Sequence, residues 1–418
     1  MLLLYTDSSA LSSTYFCSFE EEDVEPTMHI TGNDELLQKA TERGWEGTGT
    51  KEDPIVIQGY RFHSDQHMFT MAHTDLYVNF TNNWLEGMNH SWCSIVLSLT
   101  RNVIICNNTI FGGGIGVHLL GANDSLVIRN TIYDTGYDAV FMDNGCSGNI
   151  ISENYFFDNK ETGVLGWTGS TRNLVSNNII QDSDSGVAFR SSSNSNFVYN
   201  NTIERARLSG VDLETINNEV QGNLIYRTRG DGIRVFNTDN HIAKNVIFEP
   251  KYRGIYLSPD SNRTEILHNS FVDCTLESIL VIQSSGHVIR FNDFLGDSEN
   301  AFVVDNGEQN VFERNYWEGF VTTDDNEDGV FDLPFEIDGS AQNRDDYPLT
   351  SIINPLPAKL HAYTQTDITT TETIATSSNH TLTHIQNSME FGSAIVLGAL
   401  GIACIVIVII FLRKRRDA

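Results

Sequence analysis

Three groups of residues have the types and spacing to do chemistry. The first is Asp324-Asp325-Asn326-Glu327-Asp328-Gly329-Val330-Phe331-Asp332. It sets oxygen-bearing side chains at alternating positions and a glycine at the sharp turn, the way a short loop wraps one hard divalent cation. Asp324, Asn326, Asp328 and Asp332, with the Val330 carbonyl, are the expected calcium ligands; the alternative is a solvated acidic turn. Phe335 stands where a full EF-hand carries its bidentate Glu, and Glu336 falls one residue late. A structural calcium loop is therefore expected in place of an EF-hand switch.

The second group is a stripe. If Val211 and Leu213 point inward on a strand, Asp212 and Glu214 point outward, as do Arg190, Arg234 with Phe236, and Tyr256 on equivalent segments, with Trp167 on the same stripe. Sugar recognition needs rings to stack on and polar groups to fix hydroxyls, whereas glycoside hydrolysis needs two carboxylates about 5–9 Å apart. Asp212 with Asp231 or Glu214 is the candidate catalytic pair. Trp167, Arg190, Arg234, Phe236 and Tyr256 are the candidate substrate contacts. A solvated face of an acidic protein has the same composition. The third group is His63, His67, Met71 and His73, which an extended chain would place on one side; imidazole and thioether would suit copper. Packing in the first coils is the competing account. No nucleotide or phosphate-loop signature is present: Gly112-Gly113-Gly114 is not followed by Lys-Ser/Thr, so no organic cofactor is expected.

What positions these groups is a repeat. An Asn in the phrase apolar-x-x-Asn-x-apolar recurs at Asn108, Asn130, Asn154, Asn178, Asn201, Asn223, Asn245, Asn269, Asn292 and Asn315, in steps of 22 to 24 residues. The residues three before and two after each Asn are apolar in all twenty cases, against 40% hydrophobic residues overall, a chance on the order of 10⁻⁸. A second phrase, Gly-apolar-x-apolar, follows about eight residues later, as in Gly186-Val187-Ala188-Phe189, Gly210-Val211-Asp212-Leu213 and Gly232-Ile233-Arg234-Val235. Three short strands per period, too short for helices, predict an all-β, right-handed parallel β-helix of about eleven coils with a period of about 23. The Asn column reads as a structural amide ladder, with Asn also suited to left-handed backbone at sharp corners.

The expected order along the chain is an N-terminal leader or truncated signal (1–26), a cap with a short helix (27–53), the β-helix (54–317), a C-terminal cap holding the acidic loop (318–350), a Thr-rich stalk (351–391), a transmembrane helix (392–412) and a basic tail (413–418). In the first cap, Asn33 or Asp34 is placed to cap a helix over 34–43 with Leu36, Leu37 and Ala40 at helical spacing. Gly392 to Leu412 carries no charge and is followed by Arg413-Lys414-Arg415-Arg416, so the tail is expected in the cytoplasm and the acidic bulk outside, at the cell membrane. The sequons at Asn79, Asn89, Asn107, Asn123, Asn200, Asn262 and Asn379 are the expected glycosylation sites of an exported chain. With 26 Lys+Arg against 55 Asp+Glu, a net charge of −29 over 418 residues, the chain would be repelled by phosphate backbones, which excludes nucleic acid as a partner.

On three segments the chain resembles the right-handed β-helix surface proteins with carbohydrate-binding and sugar-hydrolase-type repeats, including NosD-like proteins. These are Gly44-Trp45-Glu46-Gly47-Thr48-Gly49-Thr50 with Asp53-Pro54-Ile55-Val56-Ile57-Gln58-Gly59-Tyr60, the repeats, and Asn315-Tyr316-Trp317 through Asp346-Tyr347-Pro348-Leu349. The resemblance implies the fold over about 44–350. Within it occur glycan binders, lyases, hydrolases, copper-system accessories and proteins of no known activity. The function expected here is binding of a surface polysaccharide or glycoprotein, with a polysaccharide lyase or glycoside hydrolase, and a copper accessory, as alternatives.

Overall fold

The strands wind into three parallel sheets, each coil adding one strand to each. The computed structural model describes residues 24–296 and 301–356. Among the described residues, sheet A stacks thirteen strands from Val24–Glu25 to Tyr316–Trp317, and sheet B twelve from Met28–Thr31 to Val303–Glu308. Sheet C runs from Ile55–Gln58 to Val311–Glu313 and ends on Arg344–Asp345, paired antiparallel with Phe335–Glu336. The path is a right-handed parallel solenoid, and sheet B holds eleven strands between Pro54 and Trp317. The coils begin earlier than the sequence suggests: Val24–Glu25 pairs with Arg61–Ser64, and Met28–Thr31 with Phe69–Ala72. Both lie in segments assigned above to the leader and the cap.

Register confirms the inward columns. Ile105, Val127, Ile151 and Val175 are successive partners on sheet C, and Ile110, Ile132, Phe156 and Ile180 on sheet A. All twenty apolar positions flanking the Asn column are at most 4% exposed. The column itself has one more member, Asn83. In every rung the backbone N–H and the Nδ2 of one Asn donate to the Oδ1 of the Asn on the next coil at 2.9–3.1 Å. The second Nδ2 proton goes to an inward sheet C carbonyl one coil back, as from Asn201 to Val175 at 2.9 Å. These bonds satisfy the corner's buried polar groups. The left-handed backbone sits elsewhere: it falls on the residue before each Asn, including Arg129, Glu153, Lys244, His268 and Phe291. Asn is needed here for its carboxamide, and the bonds it makes hold a strained neighbour of almost any type.

Both ends are closed. The helix α1 (Gly32–Arg43) buries Leu36 and Ala40 and ends on left-handed Gly44, φ 68°, which a glycine adopts without Cβ strain. Its N-cap is Thr31, whose N–H donates to the Glu35 carboxylate at 2.8 Å. Asn33 instead accepts from Thr74 and donates to Asp75, and Leu37 is exposed. At the other end Phe271, Phe294, Trp317 and Phe335 stack in one column. Phe335 and Ile337 therefore cover the last coil, with Phe320 edge-on to Phe331 and Phe335. Leu333, between Phe335 and the acidic loop, is exposed. The ladder ends on Asp345, whose Oδ2 accepts from Asn315 N, Asn315 Nδ2 and Trp317 Nε1 at 2.9, 3.0 and 3.2 Å.

Candidate functional site

Sheet B presents three outward rows. Pairing of Ala188, Asp212, Arg234 and Tyr256 on successive coils makes the central row. Next to it run Trp167, Arg190, Glu214 and Phe236, each two places beyond its central-row residue and one beyond the end of its strand. Gly166, beside Trp167, belongs to the inward column: it pairs in register with Phe189, and a Cβ there would come within 2.6 Å of that core ring. On the other side lies a row of which the sequence reading named only Asp231, the residue before each Gly of the second phrase and, at Asp138, before Ala139: Asp138, Thr162, Ser185, Ser209, Asp231 and Arg253.

Most of the expected stripe thus comes together. Arg190 Nη2 donates to Asp212 Oδ2 at 2.9 Å, and its Nε lies 3.1 Å from Glu214 Oε1. Burial is the largest single influence on the Arg190 charge and works against it, but the Asp212 hydrogen bond together with the charges of Asp212, Glu214 and Asp138 outweighs burial and raises the guanidinium pKa. The Arg234 guanidinium sits 4.7 Å over Phe236, which meets Tyr256 at 5.9 Å, a cation–π and aromatic cluster. Asp212 differs from expectation in exposure. It is only 1% exposed, and its Oδ1 has no partner among the described residues. Alternation gave its direction correctly, whereas Arg190 beside it limits its access. Asp231 pairs with Arg253 on the following coil, through its N–H at 3.1 Å and Nη1 at 3.5 Å, and stands in the outer row, not beside Asp212. Burial raises the Asp231 pKa, opposed by the Arg253 N–H. Trp167 keeps about a third of its surface open.

The residue that sequence reasoning missed is Asp138. It is 3% exposed and accepts the Thr162 N–H at 2.9 Å. Burial pushes its carboxyl up to about 7, with the Thr162 N–H and Arg190 pulling the other way. The signal was its place before Ala139-Val140, where other coils carry Gly-Val. A second amide ladder was also missed. Backbone N–H groups of Ser125, Asn149, Asn173, Asn196 and Asn218 donate to the Oδ1 of the Asn one coil on. Its signal was an Asn five residues before each first-ladder Asn from Asn154 to Asn245.

The other groups behave differently. In the acidic loop, Asp324 accepts the N–H groups of Asp328 and Gly329, Asn326 accepts that of Asp328, Asp328 that of Val330, and Asp332 that of Asp325. Among the described residues no three His, Cys, Asp or Glu side chains converge as a metal site. The His/Met set does not assemble. The chain turns after His63, so Met71 enters the core, His67 meets the backbone of Cys93 and the edge of Trp92, His63 lies 3.4 Å from Glu86, and His73 is an exposed left-handed corner. Of the sequons, Asn89, Asn107 and Asn200 are exposed and Asn79 is half-buried. The Asn123 and Asn262 amide oxygens accept the N–H groups of Ser147 and Ser285. Asn379, the stalk beyond Leu356, the 392–412 span and the basic tail lie outside the described residues. Within those residues no helix is long and apolar enough to cross a membrane.

A family model described as the right handed beta helix region matches residues 48–203, 116–271 and 222–319. The chain belongs to this right-handed β-helix family. Among solved structures, the β-helix is similar to the Azotobacter vinelandii mannuronan C-5 epimerase AlgE6 A-module, at 12% identity and a TM-score of 0.51, covering 67% of this chain and 87% of that one. It is also similar to a tailspike protein of the E. coli bacteriophage HK620 in complex with pentasaccharide, at 9% identity and a TM-score of 0.51, covering 69% and 72%. At these identities the likeness is one of fold. No curated protein sequence matches this β-helix chain.

Proposed function

We propose that this β-helix binds an extended surface glycan along the outward face of sheet B, across the coils of Arg190, Asp212, Arg234 and Tyr256. The observation that carries the reading is the Asp212 carboxylate, buried with one oxygen free, beside an Arg190–Glu214 pair and the Arg234–Phe236–Tyr256 cluster. Coils repeat at about 4.8 Å, so an outward row meets a polymer at regular intervals along its length. The likeness to an epimerase named for mannuronan and to a tailspike holding a pentasaccharide supports the same reading. Residues 392–412 would anchor this ectodomain in the cell membrane, single-pass, with the basic tail inside. Retention of the full-length protein on immobilised polysaccharides tests the site. Arg234→Ala and Tyr256→Ala should each weaken retention about tenfold with unchanged melting; if both leave it intact, this face is the wrong one.

Catalysis on the same face is the second reading, and Asp138 favours it. A carboxyl held up near neutrality at this face is suited to give or take a proton during glycan cleavage; it stands three coils from Asp212, about 14 Å at about 4.8 Å per coil, so it would act without Asp212 as a paired carboxylate. Release of reducing ends or unsaturated uronate, abolished by Asp138→Asn with retention unchanged, would establish a hydrolase or lyase. Retention with no release leaves a binder. We also propose calcium for the 324–332 loop, where the cation would draw Asp324, Asn326, Asp328 and Asp332 from the backbone N–H groups they now accept.

A further inference from the structure

We propose that the sheet B site takes an uncharged glycan, recognised through hydroxyl donors, and excludes acidic polysaccharides. This rests on the reading above that the face binds a glycan, and it names the class. The first observation is the Asp212 acceptor. The residue is 1% exposed at an outward position; Arg190 takes Oδ2 at 2.9 Å, and Oδ1 has no partner among the described residues. An ionised carboxylate only accepts. A sugar hydroxyl completes it, whereas a carboxylate or sulfate brought to the same place adds an acceptor and a like charge.

The second observation is that two of the three arginines which could neutralise an acidic sugar, Arg190 and Arg253, are already ion-paired. Arg190 pairs with Asp212 and Glu214, and Arg253 pairs with Asp231 at 3.5 Å and Glu277 at 3.2 Å. The third, Arg234, lies over Phe236 and beside Asp212 in register, where the Asp212 carboxylate on the adjacent coil faces the same approach. Counting Asp138, Asp212, Glu214, Asp231 and Glu277 against these three arginines leaves 3 − 5 = −2, or −1 with Asp138 protonated. The surrounding chain, at −29, adds a long-range field that repels a polyanion before contact, most strongly at low salt. An acidic polymer would therefore have to break charged pairs while approaching a surface of its own sign. Neutral sugars meet neither cost, and Phe236 and Tyr256 supply the apolar surface on which their rings pack.

The test is affinity electrophoresis of the full-length protein in gels containing neutral glucan, mannan or galactan chains, or mannuronan, at low salt and at about 0.15 M salt. Retention by a neutral chain, little changed by salt, with mannuronan at least tenfold weaker, is the expected result. Glu214→Lys, with its melting curve checked against the parent, should narrow that gap severalfold. Mannuronan retained as tightly as the neutral chains, or more tightly and with retention falling as salt rises, overturns the inference and leaves the glycan reading standing. Retention by none of the four defeats the glycan reading itself.

Discussion

The corner between sheets C and A and the outward face of sheet B are built by the same device, a position repeated once per coil, and they use it in opposite ways. At the corner the side chain is Asn on eleven successive coils, and each carboxamide makes the same bonds to the coils before and after it. On sheet B the central outward row reads Val96, His118, Phe141, Leu165, Ala188, Asp212, Arg234 and Tyr256. Identity suits the corner because a buried amide can be satisfied only by a matching neighbour. The outward row carries no such demand, so it can differ from coil to coil and leave an acceptor such as Asp212 Oδ1 without a partner among the described residues. Constancy marks scaffold in this protein, and variation marks the surface available for recognition.

The largest expected effect comes from breaking the constant row. Asn201→Ala would strand the Asn178 N–H and the Val175 carbonyl inside the corner, at a cost of roughly 3–5 kcal/mol. Denaturant unfolding measures this, and a loss below about 1 kcal/mol would show that the ladder is dispensable.

Next is a rung of the second ladder where His stands in place of Asn. His287 accepts the Thr264 N–H on Nδ1 at 3.1 Å, so its proton sits on Nε2 toward the Ser284 hydroxyl at 2.9 Å. Burial pushes its pKa down to about 4, while Asp305 pulls upward. Below its unfolded value the unfolded chain takes up a proton that the folded chain refuses. Stability is thus complete above about pH 6.5 and falls as pH drops toward 4, by about 3 kcal/mol. His287→Asn, restoring the repeated residue, should flatten the melting temperature over that window; an unchanged slope would place the acid sensitivity elsewhere.

On the variable row the effects shift from stability to binding. Asp212→Asn should leave Arg190 with one carboxylate fewer and change stability by no more than about 1–2 kcal/mol, yet reduce glycan retention about tenfold. Equal losses in stability and retention would make Asp212 part of the scaffold. The smallest effect is expected at the acidic loop. Chelator should lower the melting temperature by a few degrees if calcium is bound, and Asp328→Ala should abolish the difference. Identical melting with and without chelator leaves a solvated turn held by its own N–H groups.

Whatever obeys one rule on every coil could be read along the chain. The twenty apolar positions and the Asn column were legible because each repeats at a fixed offset and the partner residue, 22 to 24 places on, is of the same kind. The direction of Asp212, Arg234 and Tyr256 followed from strand alternation alone. Tertiary structure decided the rest. Whether an outward side chain is open or covered depends on an unlike neighbour one coil away, as Arg190 covers Asp212. Where a turn ends decides which sheet receives each residue, and so it sent Met71 into the core while His63 and His73 stayed outside. Asp138 gains its raised pKa only when the Thr162 coil and its neighbours exclude water from it. Each of these depends on contacts between residues of different type that are distant in sequence, and such contacts leave no periodic trace along the chain.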